Sequence, residues 1–243
     1  MNHTAFEITG AERPSRWLIT ADHATNTVPN AVNGGTLELP EAEMQRHIAF
    51  DIGAKGVSER LGEVMNAPVI TSNFSRLVID PNRGLEDPTL IMKLYDGTII
   101  PANHPMPEAD RQHRIETYWQ PYHDAYESLA ARRDDTVIAA IHSYSPRLNG
   151  RKPRPWHIGV LHAGESTYGP ALVKRLQCED DLCVGDNQPY AGHLPGDAVD
   201  QHALRKGRTN VLIELRSDLI ETAAQQAAWA QRLGPMLEEV LAE

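Results

Sequence analysis

The chain has 243 residues, 41% hydrophobic and 23% charged, which suits one large globular domain with a sizeable core rather than a string of small ones. Asp and Glu (33) outnumber Lys and Arg (23), and the formal charge of -10 is spread along the chain, which argues against a general nucleic-acid or anionic-membrane binder. No apolar run approaches the roughly 18 to 20 residues that span a bilayer, and the start Met1-Asn2-His3-Thr4 lacks the basic and apolar regions of a secretory signal, so a soluble cytoplasmic protein is expected.

Short apolar runs rich in β-branched residues alternate with longer amphipathic ones, with no internal repeat, so the whole of 1–243 reads as one α/β domain. The first predicted strand is 17–21. A helix is expected from about Glu41 to Met65, because Ile48, Ile52, Leu61 and Val64 recur on one face. Strands at 68–71 and 77–79 follow. Residues 82–106, rich in Pro, Gly, Asp and Asn, predict a long ordered loop, and loops of that length usually carry function. Gln112 to Arg133 reads as helical, with Pro121 starting or interrupting a helix. Strands are expected at 137–141, 157–161 and 211–215, with a helix at 168–177. A last helix is expected from Asp218 onward, kinked or split by Pro235. Several runs are apolar nearly throughout, as strands covered on both faces should be.

Sulfur chemistry has little support. Cys178 and Cys183 form no CxxC pair and there is no third cysteine, whereas the chain has eleven histidines. Ligands of parallel α/β sheets bind beyond the carboxyl ends of the strands, and three runs end in candidate residues there: Asp22-His23-Ala24-Thr25-Asn26, His142-Ser143-Tyr144-Ser145 and Glu214-Leu215-Arg216. Two imidazoles on neighbouring strand ends can share one zinc ion at about 2.0 to 2.1 Å, leaving a third ligand and an open position. A carboxylate on a third strand end can then take a proton from the attacking water and hand it to the leaving amine, and Glu214 has the place for that. Each piece alone is weak, since a histidine at a strand end is more often a satisfied polar residue than a ligand. His104, His113, His123, His162, His193 and His202 lack ligand spacing and read as surface or packing residues. There is no Walker sequence and no GxGxxG after a strand, so nucleotide cofactors have no support.

Ile141-His142-Ser143-Tyr144-Ser145 and Ile213-Glu214-Leu215-Arg216 resemble the second zinc-histidine segment and the general-base segment of zinc-dependent carboxypeptidases, in the same order. Those enzymes open with a zinc-binding His-x-x-Glu, where this chain has His23-Ala24-Thr25-Asn26. With that altered opening, several further segments together resemble the N-formylglutamate amidohydrolase family over nearly the whole chain. They are Asp22 to Pro29, His47 to Ala54, Ser75 to Arg83, Pro121-Tyr122-His123, Arg154 to Leu161, Asp186 to Tyr190 and Glu214 to Asp218.

The resemblance implies a three-layer α/β/α fold around a central mixed, mainly parallel sheet of the zinc-exopeptidase (phosphorylase/hydrolase-like) kind. It also implies hydrolysis of an N-acyl amide, with N-formyl-L-glutamate giving formate and L-glutamate as the family's reaction, and one Zn²⁺ per chain. Carried onto this sequence, His23 and His142 bind the metal and Glu214 is the general base. The third metal ligand stays open. Asn26 stands in the family position but offers a neutral, poor zinc ligand, and Asp51 and Asp22 are rivals. Asp51, on the predicted helix with His47 four residues earlier on the same face, can alternatively orient a ligating imidazole, as can His47. The small anionic substrate needs guanidinium groups for its carboxylates; Arg76 and the Asn82-Arg83 pair come first, Arg216 and Arg151 second, with Tyr144 beside His142 as a pocket residue. Two other readings stand beside this one: a carboxypeptidase-like or aminoacylase-like hydrolase of another substrate, and a non-catalytic acidic-ligand binder whose metal site is weakened by Asn26.

Overall fold

The computed structural model describes residues 3–242 apart from His193, which lies outside the described residues together with Met1, Asn2 and Glu243. The first half contains β1 (Phe6–Thr9), β2 (Trp17–Ala21), α1 (Glu41–Met44), α2 (Ala54–Val64), β3 (Val69–Ser72) and a small hairpin of β4 (Leu94–Tyr95) and β5 (Thr98–Ile99). Then come α3 (Glu108–Arg114), α4 (Gln120–Ala130), β6 (Val137–Tyr144), β7 (Ile158–Leu161) and α5 (Tyr168–Leu176). The chain continues through β8 (Val184–Asp186), α6 (Ala198–His202), β9 (Asn210–Arg216) and α7 (Ala223–Ala242).

Seven strands make one sheet in the order β1-β3-β2-β6-β9-β7-β8. Neighbours run parallel except at β1–β3 and β7–β9, so the sheet is mixed and mainly parallel, as expected. The strands alternate in the usual period of two, yet both faces are covered. Trp17, Ile19, Val137, Ala139 and Ile141 pack under α2, α5 and α7, while Leu18, Ile138 and Ala140 pack against α4, α6 and the 74–100 segment. That is the three-layer α/β/α arrangement, with the metal-candidate strands β2, β6 and β9 at its centre.

Several sequence expectations are corrected. The 41–65 helix is two helices separated by an irregular 45–53 segment, so His47 and Asp51 do not share a helical face. The break has a tertiary cause: Gly53 enters α2 at φ +81°, and a Cβ there would lie 2.2 Å from the Ile220 carbonyl oxygen. Leu77 to Ile79, fully buried and apolar, form a turn rather than a strand, because they plug the core below the 82–106 segment instead of joining the sheet edge. That segment carries the β4–β5 hairpin. The C-terminal helix starts at Ala223 and runs unbroken through Pro235. Burial of Ala230, Leu233, Met236, Leu237 and Val240 outweighs the roughly 3 kcal/mol that an interior proline costs. Pro121 stands in the first turn of α4, where a proline can start a helix as expected, and a π-helical turn at Ile115–Trp119 joins α3 to α4 ahead of it. β1 was not legible because most of its residues are exposed, and β8 because it is three residues long.

Replacing Gly53 with Ala combines a left-handed backbone with a clash, whereas Gly207 has a similar φ of +66° and open space at its Cβ. Gly53→Ala is expected to lose about 2 to 4 kcal/mol in urea unfolding, against about 1 kcal/mol for Gly207→Ala. Equal losses would show that the Ile220 contact does not set the break.

Candidate active site

β2 and β6 end side by side, and the bend before α2 brings a carboxylate between their terminal histidines. Asp51 Oδ2 lies 3.3 Å from His23 Nδ1 and 2.9 Å from His142 Nδ1, and accepts from the Ser143 N–H at 3.3 Å. Its Oδ1 accepts from Arg76 at 3.3 Å, and the Asp51 N–H donates to the His23 carbonyl. Behind the rings stand two more carboxylates. His23 Nε2 meets Asp80 Oδ1 at 2.7 Å, and His142 Nε2 lies 3.3 Å from Asp22 Oδ2, while Asp22 Oδ1 accepts from the Tyr122 hydroxyl at 2.5 Å. Glu214 sits opposite His142 in the β6–β9 register, buried, with its Oε2 lacking a hydrogen-bond partner among the described residues.

This donor set suits a zinc ion. His23, Asp51 and His142 each offer one ligand atom within 4.8 Å of the others. The carboxylates behind the imidazoles favour protons on both Nε2 atoms and lone pairs on both Nδ1 atoms, which is how metal-binding histidines are held. In the absence of a cation, both Nδ1 atoms would have to donate to Asp51 as well, making two imidazolium rings 5.0 Å apart in a buried site. A divalent cation at the Nδ1 atoms removes that conflict. It also balances a cluster of buried carboxyl groups, Asp22, Asp51, Asp80 and Glu214, of which Asp51 and Asp80 pair with Arg76.

Burial alone would raise the Asp80 pKa, but Arg76 and His23 outweigh it and hold Asp80 well below the ordinary carboxylate range. Glu214 moves the other way: burial pushes it up to about 7, against the opposing pull of His142. That contrast matters because a carboxyl poised near neutrality can both take and return a proton.

The cavity in front of these residues has a volume of about 220 Å³ and is lined by His23, His47, Asp51, Arg76, Asn82 and Arg83, and beyond them by Tyr95, His142, Tyr144, Tyr190, Asp197 and Glu214. Most sequence candidates therefore converge. Arg76, however, is engaged by Asp51 and by Asp80 (2.9 Å), so its charge is spent within the protein. Asn82 is fixed by its N–H to Asp80 Oδ1 and by its Oδ1, which accepts from the Ala198 N–H. Arg83 donates to neutral oxygens, Thr89 Oγ1 and the Asn82 carbonyl. Tyr144 lines the cavity, with its hydroxyl committed to the Trp156 carbonyl. His47 lines it too, 3.4 Å from Asp96 Oδ2 rather than behind a ligand imidazole.

Three candidates fall outside. The Asn26 side chain donates to the Met44 carbonyl and does not join the His23, Asp51 and His142 group. Arg216 pairs with Asp218 at 2.8 Å and braces the carbonyls of residues 154–156, and Arg151 is exposed on the β6–β7 loop. Asp80, Tyr95 and Asp197 were not singled out from the sequence. Asp80 alone left a signal there, as a lone acid ending the buried apolar run 77–79.

Comparison with known proteins now adds to the geometry. The sequence profile of the N-formylglutamate amidohydrolase family matches residues 15–221, and the chain belongs to that family. N-formylglutamate deformylase of Pseudomonas putida is 24% identical over 206 residues, covering 76% of this chain and 73% of its own. The enzyme of that name from Pseudomonas aeruginosa is 28% identical over 207 residues, with the same coverages of 76% and 73%. Among solved structures, a gene product of Agrobacterium tumefaciens superposes with a TM-score of 0.91 at 33% identity, over 99% of this chain and 96% of that one. N-formylglutamate amidohydrolase from Ralstonia eutropha shares the fold at a TM-score of 0.65 and 20% identity, over 98% and 99% of the two chains.

A buried relay supports the Asn82 side of the cavity. His123 Nε2 donates to the Pro81 carbonyl (3.0 Å), leaving its Nδ1 to accept from His202 Nε2 (2.8 Å), and His202 Nδ1 faces Glu127 (3.0 Å). Both histidines are packing residues, as expected, and burial pushes His123 down to about 3. The unfolded chain protonates this histidine below about 6.5 and the folded chain does not until about 3. Its contribution to stability is therefore fully present above pH 6.5 and declines as pH falls from 6.5 towards 3. Melting temperature measured from pH 7.5 to 4.5 is expected to fall less steeply for His123→Gln than for the wild type; matching slopes would remove His123 as the cause.

Proposed function

We propose that this chain hydrolyses N-formyl-L-glutamate to formate and L-glutamate, using one zinc ion held by His23, Asp51 and His142, with Glu214 as general base and then general acid. The observation that carries the reading is the convergence of the two Nδ1 atoms and Asp51 Oδ2 beside an unpartnered Glu214 carboxyl. The family and the names of the two Pseudomonas relatives supply the substrate.

When bound, the ion supplies Lewis acidity towards the formyl carbonyl and towards water. The protein's own groups do the rest. Asp80 holds the His23 ring by a hydrogen bond at Nε2, and Asp22 stands 3.3 Å behind the Nε2 of His142, so the Nδ1 lone pairs stay aimed at a common point. Glu214, on the next strand from His142, takes a proton from the attacking water and returns it to the departing amide nitrogen as the C–N bond breaks. Asn82 and Arg83 lie on the His23 side, tied to it through Asp80, and take the α-carboxylate next to the scissile nitrogen.

The cavity volume of about 220 Å³ lies below the roughly 300 to 1,000 Å³ typical of drug-sized ligands, which favours a small N-acyl amino acid over a peptide. Asp51 supplies the anionic donor that Asn26 lacks, which weighs against the non-catalytic reading and its weakened site.

Elemental analysis of untagged protein re-equilibrated with Zn²⁺ is expected to find about one zinc per chain. The metal is expected to be lost in His23→Ala, Asp51→Ala and His142→Ala and kept in Asn26→Ala. Glu214→Gln is expected to keep zinc and lose turnover of N-formyl-L-glutamate by about 10²- to 10⁴-fold. Full zinc in Asp51→Ala would overturn the ligand set, and wild-type turnover in Glu214→Gln would overturn the mechanism.

A further inference from the structure

A dicarboxylic substrate needs two cationic contacts, and the arginines around the cavity are not equally free to give them. Arg76 is bound by Asp51 and Asp80, and Arg216 by Asp218. Arg83 has only neutral partners among the described residues. The other arginine in that condition is Arg154. Its guanidinium carbon lies 5.4 Å from the ring centroid of Tyr144 and 5.2 Å from that of Tyr190, both cavity residues, and its Nη1 donates to the carbonyl of Ser145, a third. Among the described residues it forms no ion pair with a carboxylate. A half-buried guanidinium stacked on two tyrosines and lacking a counter-ion is an anion contact held in one orientation before the anion arrives.

Its place in the fold is complementary to that of Arg83. Arg83 follows β3, on one flank of the strand ends that carry His23, His142 and Glu214, and Arg154 precedes β7, on the other flank. β7 runs antiparallel to β9, so its entry lies at the same end of the sheet as the exits of β2, β6 and β9. From β3 to β7 the sheet takes four strand steps, about 19 Å at the usual spacing, so the two residues stand on opposite flanks of the strand ends that carry the site. Tyr190 reaches its position through a close backbone crossing: a Cβ on Gly159 would lie 2.0 Å from the Gln188 carbonyl oxygen, and only glycine lets that segment run back over β7.

We propose that Arg154 binds the side-chain carboxylate of the substrate, while Asn82 and Arg83 bind its α-carboxylate. This rests on the function proposed above and goes beyond it by assigning the residue that selects an acidic side chain. The division follows from distance to the chemistry. Asn82 is linked through Asp80 to His23 and suits the carboxylate nearest the scissile nitrogen; Arg154 rests on the partly exposed Tyr190 and suits the one farther along the side chain.

The test compares N-formyl-L-glutamate with N-formyl-L-glutamine, of nearly the same shape and without the second charge, in the zinc-loaded wild type, Arg154→Met and Arg154→Lys. In parallel, melting temperature is measured with and without glutarate, a dicarboxylate that cannot be hydrolysed. In Arg154→Met, kcat/KM for the glutamate substrate is expected to fall about 100-fold, mainly through KM. The preference over the glutamine substrate should collapse, and the glutarate-induced rise in melting temperature should vanish. Arg154→Lys should recover part of each. An equal fall for both substrates would assign Arg154 a structural role, and an unchanged preference would remove it from recognition; either overturns the inference while leaving the proposed hydrolysis standing. If the wild type turns over neither formyl compound, but glutarate stabilises it and not Arg154→Met, the acidic-side-chain contact stands and the hydrolysis fails. No stabilisation of the wild type by glutarate, together with no turnover, overturns both.

Discussion

The geometry of the site hangs on one carboxylate. Asp51 meets both histidines through Oδ2 and Arg76 through Oδ1, and its own N–H is tied to the His23 carbonyl, so backbone and side chain converge on the same point. An aspartate so placed, with 4% of its surface accessible, cannot keep its charge without close cations. The surrounding groups answer that demand in layers. Arg76 bridges Asp51 to Asp80, Asp80 holds His23, and Asp22, itself fixed by Tyr122, stands behind His142. Alternating charge through the two layers brings both Nδ1 atoms and the Asp51 carboxylate to one point, the donor set of a metal-binding cluster.

The sheet makes that layering possible. β2, β6 and β9 are adjacent and parallel, so their carboxyl ends open on the same edge, and the register that sets His142 opposite Glu214 brings acid and imidazole together without a loop to adjust them. The opposite flank works differently. β7 and β8 run the other way, and residues 145–157 and 187–190 return over the edge to supply Arg154 and Tyr190, which meet Tyr144 at the end of β6. Rigid strands thus carry the histidines and Glu214, and longer connections carry the outer walls of the cavity.

Positive charge is economised in the same way. The molecule carries a net -10, yet its cavity collects arginines. Arg76 is spent on the acids that hold the histidines, and Arg216 is spent on Asp218 and the loop carbonyls. What remains for an anionic ligand is what lacks a carboxylate partner, and counting guanidinium groups without their partners would misjudge the attraction of the site.

Much of this was legible in the sequence. Apolar runs buried on both faces gave β2, β3, β6, β7 and β9 to within a few residues, because strand burial writes itself into composition. Ends of strands marked His23, His142 and Glu214, since polar residues there must face the ligand edge. The pattern failed where a distant contact overrides local preference. It extended a helix across Gly53, whose left-handed turn lies against the Ile220 backbone, and of the two outcomes it offered at Pro235, a kink or a split, the split does not occur because packing keeps α7 continuous. In the site the same limit appears as Asn26 and Asp51. The resemblance put Asn26 forward, three residues from His23, with Asp51 and Asp22 as rivals; the Asn26 side chain turns to the Met44 carbonyl, and the carboxylate beside His23 is that of Asp51, from a bend 28 residues on. Sequence alone determined which strands carry imidazole and carboxylate, because alternation and burial are local properties. Only the tertiary structure decided which acid stands between the histidines and which arginines remain free, because partners far apart in the chain settle both.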